Sequence, residues 1–251
     1  MSERERDERW LFASDVHLSL AAPQRTELFH RFLREEATGT TRLYILGDLF
    51  DVYVGRRHAR RPEVAATLAE LARLRDAGVI VELVVGNRDF MARDELGLDA
   101  VHAEDIVVDC GELKLLLSHG DRFCTRDRSY QRARRVLRSP VIRGLGQMLP
   151  VGVVLAVGDW LRGKSRSAVA AKSSYATDLD VSAVVDALQR LDVDAVVVGH
   201  VHRRRDLVAR IDGKRRRFVG LGDWSDTGCF AELSGAKLRL REFPPPADAS
   251  S

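Results

Sequence analysis

Short apolar runs, each closed by a polar cluster, recur along the chain. Residues 10–13, 43–46, 79–85, 113–117 and 195–198 are such runs. They are continuous rather than alternating, which predicts strands buried on both faces. Between them the apolar spacing changes to a helical one. Residues 25–37 place Leu28, Phe29, Phe32 and Leu33 on one face of a helix. Pro62 suits a helix start, residues 64–77 continue it, and Gly78 stops it. Residues 181–191 read as a helix leading into the run at 195–198. Strands alternating with helices predict an α/β fold. After His202 the texture becomes short strand-like runs (207–211, 217–220, 229–233 and 238–241) broken by Gly and Asp. These predict an antiparallel end to the sheet.

The remaining stretches are of other kinds. Residues 1–9 read as a solvated lead-in and 244–251 as a disordered tail. No solenoid period recurs. Within residues 139–166, the part from 144 to 161 is largely apolar but broken by Pro150 and Asp159. That is too short to span a bilayer, which takes about 20 residues. Arg132, Arg134, Arg135, Arg138 and Arg143 precede it; Arg162, Lys164 and Arg166 follow. Two readings fit: a buried helical hairpin, or an apolar lid that holds a lipid or touches a membrane surface.

The length of 251 residues fits one large domain or two small ones. Hydrophobic residues at 45% and charged residues at 31% exclude wholesale disorder. Net charge is +3, which gives no case for a nucleic-acid partner. Arg203–205 and 215–217 are basic clusters, but no aromatic stacking platform accompanies them, so no nucleic acid is expected. Cys110, Cys124 and Cys229 form no CxxC, which argues for a reducing compartment and against a cysteine-built zinc site. The charged N-terminus lacks the apolar core of a signal peptide, so a cytoplasmic location is expected.

The chemistry lies where the strands end. The run at 10–13 leads into Asp15-Val16-His17, and the run at 43–46 into Gly47-Asp48. The run at 79–85 leads into Gly86-Asn87-Arg88-Asp89, that at 113–117 into Ser118-His119-Gly120-Asp121, and that at 195–198 into Gly199-His200-Val201-His202. Side chains just past the carboxyl ends of α/β strands converge on one crevice. Imidazole and carboxylate donors without thiolates suit Mn, Fe or Zn. Seven donors (Asp15, His17, Asp48, Asn87, His119, His200 and His202) exceed the needs of one ion and suit two sharing a carboxylate. His30, His58 and His102 lie outside these clusters and read as structural or surface residues.

This ordered set resembles the calcineurin-like metallophosphoesterases. The resemblance implies a four-layer αββα sandwich, formed by a single domain over 1–251, with a dinuclear site at one edge. It implies Asp15, His17, Asp48 and His202 around one divalent metal and Asp48, Asn87, His119 and His200 around the other, Asp48 bridging. The stretches LYILGDLFD, GNRDF and SHGDRFCTRDRSYQ are similar to the UDP-2,3-diacylglucosamine pyrophosphatase branch of that family, from about Leu11 to Phe243.

That closer resemblance implies hydrolysis of a UDP-diacylglucosamine lipid by water attack at the α-phosphorus, giving UMP and 2,3-diacylglucosamine 1-phosphate. It implies Mn2+ as the usual ion, peripheral placement on the cytoplasmic face of the inner membrane, and a helical lid at 139–176. By the same resemblance Asn87, Arg88 and His200 contact substrate beside the metals. Asp127 binds the glucosamine unit, and Ser165 and Lys172 act from the lid. One departure stands out: Val169 occupies a lid position where the branch often has Asn. The competing expectations are a metallophosphoesterase of another substrate, such as a nucleotide pyrophosphatase, phosphodiesterase or nuclease, and a non-catalytic protein on the same fold. The former would not need the apolar lid, and the latter predicts a lost ligand, which the sequence does not show.

Overall fold

The computed structural model describes residues 8–139 and 178–244, together with 141, 142, 144, 149, 152, 153 and 156. The expectations for Ser165, Val169 and Lys172, most of the 139–176 insertion, residues 1–7 and the tail beyond Pro244 lie outside the described residues.

The strands are β1 (Arg9–Ala13), β2 (Arg42–Ile45), β3 (Ile80–Val84), β4 (Ala100–His102), β5 (Ile106–Asp109), β6 (Lys114–Ser118), β7 (Ala195–Val198), β8 (Arg205–Ile211), β9 (Lys214–Gly220), β10 (Gly228–Ser234) and β11 (Lys237–Phe243). The described helices are α1 (Pro23–Glu35), α2 (Arg56–Ala59), α3 (Pro62–Asp76), α4 (Arg128–Leu137) and α5 (Val181–Arg190). The strands form two sheets, ordered β11-β10-β1-β2-β3-β4 and β5-β6-β7-β9-β8. β1 to β4 run parallel, as do β6, β7 and β9.

Side-chain alternation divides the core into layers. Leu11, Ala13, Leu43, Ile45, Val81 and Leu83 pack with Leu28, Phe29, Phe32 and Leu33 of α1 and Leu71 and Leu74 of α3. Their neighbours Trp10, Phe12, Tyr44, Leu46 and Val84 face the other way, onto Leu115, Leu117, Ala195, Val197 and Val219 of the second sheet. The far face of that sheet, with Leu116, Val196 and Val198, packs on Val184, Ala187 and Leu188 of α5. The result is the four-layer αββα sandwich, and every central strand is covered on both faces, as the continuous apolar runs require.

Several expectations change. The C-terminal strands do not make one antiparallel end. The β8–β9 hairpin completes the second sheet, with β9 parallel to β7, while β10 joins the first antiparallel to β1 and β11 follows antiparallel to β10. Tertiary pairing decided this, since both hairpins carry the same local pattern. Arg9 is not lead-in: it starts β1 and pairs with Glu36 at 2.7 Å and Glu232 at 3.0 Å. α1 begins at Pro23, whose ring suits the first turn. β4, β5 and α4 were not foreseen; the first two are short and half-exposed, and no residue of α4 is buried.

His30 and His58 are structural, as expected: His30 Nε2 lies 2.9 Å from the Thr67 hydroxyl, and the His58 ring lies against Tyr53. Phe32 centres an aromatic cluster, with ring centroids 5.1 Å from Trp224 and 5.0 Å from Phe230. It is fully buried. Phe32→Ala is expected to cost about 3–5 kcal/mol, read as a fall in the midpoint of urea denaturation at unchanged m-value.

Candidate metal centre

The five strand ends come from both sheets, β1, β2 and β3 from one and β6 and β7 from the other. The structure brings all seven predicted donors together at that seam. Asp15 is buried; its Oδ2 accepts from the Ser14 hydroxyl at 2.7 Å and the His200 backbone N–H at 2.8 Å. This points Oδ1 at His202 Nε2 (3.4 Å) and His17 Nε2 (3.9 Å). Asp48 Oδ1 accepts from the Arg88 backbone N–H at 2.9 Å and lies 3.6 Å from His119 Nε2. Asp48 Oδ2 lies 3.9 Å from His17 Nδ1 and 3.5 Å from Arg88 Nε. The Asn87 side-chain oxygen is 3.0 Å from both His119 Nε2 and His200 Nδ1.

The backbone is bent to achieve this. Seven non-glycine described residues have positive φ, and five of them are Asp15, His17, Asp48, His200 and His202. Such conformations cost free energy and concentrate where function demands them. Two glycines make room. A Cβ on Gly86 would collide with the Asp48 carboxylate, and one on Gly199 with the Ser14 hydroxyl and the Asp15 carboxylate.

Two sets of donor atoms lie within 4.8 Å of one another, Asp15–His17–His202 and Asp15–Asp48–His119. Asp15 Oδ1 and His17 Nδ1 are buried without a hydrogen-bond partner. His17 Nε2 faces His202 Nε2 at 3.0 Å, and His200 Nδ1 faces His119 Nε2 at 3.2 Å. Orphaned lone pairs and opposed imidazole nitrogens are what a cation between them would satisfy. His119 Nδ1 sits 2.9 Å from the Leu46 carbonyl, which can only accept. Nδ1 therefore carries a proton, and Nε2 is the nitrogen turned to the site, where a bound cation would take its lone pair. The donor set fits divalent ions.

Burial and mutual charge move the proton affinities of these groups in opposite directions. Burial drives Asp48 above the usual carboxylate range, against the pull of His119. Burial would lower His119, but Asp48, Asp15 and Asp121 push it up to about 9. Burial, then the charge of His119, takes His200 down to about 4. Burial would raise Asp15, yet His202, 3.4 Å away, and the other histidines around it hold it well below its ordinary value.

Of the remaining expected residues, Arg88 reaches the rim, its guanidinium held between Asp48 and Asp51. Asp127 is buried and caps α4, its Oδ1 accepting from the Tyr130 N–H at 3.0 Å and the Ser129 hydroxyl at 2.7 Å. Three residues were missed. Asp89 is buried and accepts from the Gly86 and Leu49 N–H groups at 2.6 and 3.0 Å, tying two site loops together. Asp223 lies 3.7 Å from His202 Nδ1. Its signal was present: Gly222-Asp223 follows an apolar strand end just as Gly47-Asp48 does. Asp121 accepts from the Tyr130 hydroxyl at 3.0 Å and Arg134 Nε at 2.7 Å. The Tyr130 ring lies 5.7 Å from that of His200.

A two-sheet sandwich with a buried imidazole–carboxylate cluster at its strand ends defines a metallophosphoesterase. The calcineurin-like phosphoesterase model matches residues 9–204, and the chain belongs to that family of metal-dependent hydrolases. Full-length relatives narrow the comparison. A UDP-2,3-diacylglucosamine hydrolase of Proteus mirabilis (strain HI4320) is 32% identical over 237 residues, covering 93% of this chain and 98% of its own. One from Yersinia pseudotuberculosis serotype O:1b (strain IP 31758) is 33% identical over 238 residues, with the same coverage. Among solved structures, Vacuolar Protein Sorting 29 from Cryptosporidium parvum aligns over 95% of this chain and 98% of its own, at 16% identity and a TM-score of 0.48. No helix among the described residues is long and apolar enough to cross a membrane.

The collision at Gly199 gives a direct test of the site. Gly199→Ala is expected to displace Asp15 and weaken Mn2+ binding by about 10–100-fold, the range seen when support around metal ligands is lost. Isothermal titration calorimetry on the metal-stripped protein reads it. Wild-type affinity would show that the loop yields without moving Asp15.

Proposed function

We propose that this chain hydrolyses the pyrophosphate bond of UDP-2,3-diacylglucosamine, with water attacking the α-phosphorus, to release UMP and 2,3-diacylglucosamine 1-phosphate. The observation that carries the reading is the joint one: similarity to relatives of that name runs through nearly the whole of both chains, and Asp15, His17, Asp48, His119 and His202 supply two groups of donor atoms within 4.8 Å of one another.

Asp15, His17, Asp48 and His202 would hold one divalent ion, and Asp48, Asn87, His119 and His200 the other. Mn2+ is our choice among the ions these donors suit. Such ions supply Lewis-acid polarisation of phosphoryl oxygens and acidify water. The chain's own groups orient and hold. Arg88 sits at the rim with a side chain one-quarter exposed, placed for bidentate contact with a phosphate that strengthens as charge develops. The His119 bond to Leu46 fixes the tautomer that faces the site. Asn87, between His119 and His200, orients its amide oxygen inward and leaves its N–H2 for a phosphate oxygen.

Asp127, Ser165 and Lys172 are proposed to meet the sugar and phosphate. Because Asp127 also caps α4, its sugar contact would be made by a carboxylate already fixed in place. Val141, Leu149 and Val153 carry exposed apolar side chains in the segment read as a lid, which supports an acyl-chain site there and peripheral contact with the inner membrane's cytoplasmic face.

UMP release by Mn2+-loaded protein tests the reading. UDP-2,3-diacylglucosamine is expected to be turned over far faster than UDP-N-acetylglucosamine or bis(p-nitrophenyl) phosphate. Activity confined to the simple diester would keep the metal centre and discard the lipid substrate. Asp48→Ala is expected to abolish turnover of every substrate even after metal repletion, because it removes the shared ligand.

A further inference from the structure

α4 is an unusual element to find beside a buried site. It has ten residues, four of them arginine, and none is buried. Apolar burial therefore does not hold it, and its polar contacts must. Those contacts converge. Tyr130, Arg134 and Arg138 are spaced four apart, which sets them on one face of the helix and its C-cap. All three donate to the same atom, Asp121 Oδ2: the Tyr130 hydroxyl at 3.0 Å, Arg134 Nε at 2.7 Å and Arg138 Nη2 at 3.3 Å.

Asp121 itself is 1% exposed. Its backbone carbonyl accepts from Gln131 Nε2 at 2.8 Å. Arg138 then extends the network to the Val85 and Gly86 carbonyls, at 3.2 and 3.1 Å, in the turn that presents Asn87.

We propose that Asp121 is a positioning residue, whose carboxylate latches α4 to the wall of the metal site and so places Asp127 and Tyr130 where substrate must pass. Removing one partner from a buried charge network leaves the others uncompensated, so the latch opens as a unit rather than bond by bond. This goes beyond the proposed reaction, and it rests on that reading only for its substrate arm.

The experiment uses the full-length Mn2+-loaded protein and its Asp121→Asn, Asp121→Glu, Arg134→Gln and Arg138→Gln variants. α4 reports on itself: Arg128, Arg132, Arg134, Arg135 and Arg138 are tryptic sites. Cleavage there, assigned by mass spectrometry, requires local opening. Asp121→Asn is expected to raise cleavage within 128–138 by at least about tenfold, with both metals retained by elemental analysis. Asp121→Glu, which keeps the charge, should recover part of the protection. KM for UDP-2,3-diacylglucosamine should rise more than kcat falls.

Unchanged cleavage would overturn the proposal, because α4 would then be held by other contacts. Loss of metal without increased cleavage would overturn it too, placing Asp121 in the metal site instead. If Asp121→Asn does not fold, Arg134→Gln and Arg138→Gln each remove one arm of the latch and are read in the same way. The proteolysis and metal arms need no substrate, so an error in the substrate assignment leaves the latch decidable.

Discussion

Burying carboxylates and imidazoles together is the constraint from which the rest of this structure follows. Asp15 and Asp48 are almost wholly withdrawn from water within a few ångströms of His17, His119 and His202. Isolated, such a cluster would be costly, since each charge loses its hydration and like charges face each other. It is stable as a set: hydrogen bonds from Ser14, His200 and Arg88 fix the carboxylates, and the remaining donor atoms point at shared space. Divalent cations complete such an arrangement, which is why the orphaned atoms of Asp15 and His17 are informative.

The sandwich exists in the form that makes this cluster reachable. Neither sheet supplies enough donors alone. β1, β2 and β3 carry Asp15, His17, Asp48 and Asn87, while β6 and β7 carry His119, His200 and His202. Pressing the sheets together through Phe12, Tyr44, Leu117 and Val197 fixes their spacing over a dry, close-packed layer. The strain at the strand ends is then borne by this core, which is far stiffer than the turns it holds.

The surroundings of the site are built differently from the site itself. The strands are held by apolar burial on both faces, whereas α4 is held by a polar network with one carboxylate at its centre. The candidate metal site thus rests on the sheets, and the helix beside it rests on one buried carboxylate. Trading apolar burial for hydrogen bonds makes an element easier to open, since its loss exposes little hydrophobic surface.

The sequence by itself determined the local parts. The apolar runs located the central strands because burial on both faces writes a continuous signal. The polar clusters that close five of them held the seven candidate donors that the fold gathers at one seam, because side chains past the strand ends of an α/β sheet must converge. The tertiary structure decided what local pattern cannot encode. Two similar C-terminal hairpins joined different sheets, one beside β7 and the other beside β1. Asp223 and Asp121 carried the same glycine–aspartate signature as Asp48, yet only their placement shows one facing His202 and the other gathering two side chains of α4 and that of its C-cap, Arg138. α4 was invisible in advance because it buries no residue, so no apolar period marks it. Pairing and convergence depend on contacts far apart in the chain, and those are written in the fold rather than in any segment of it.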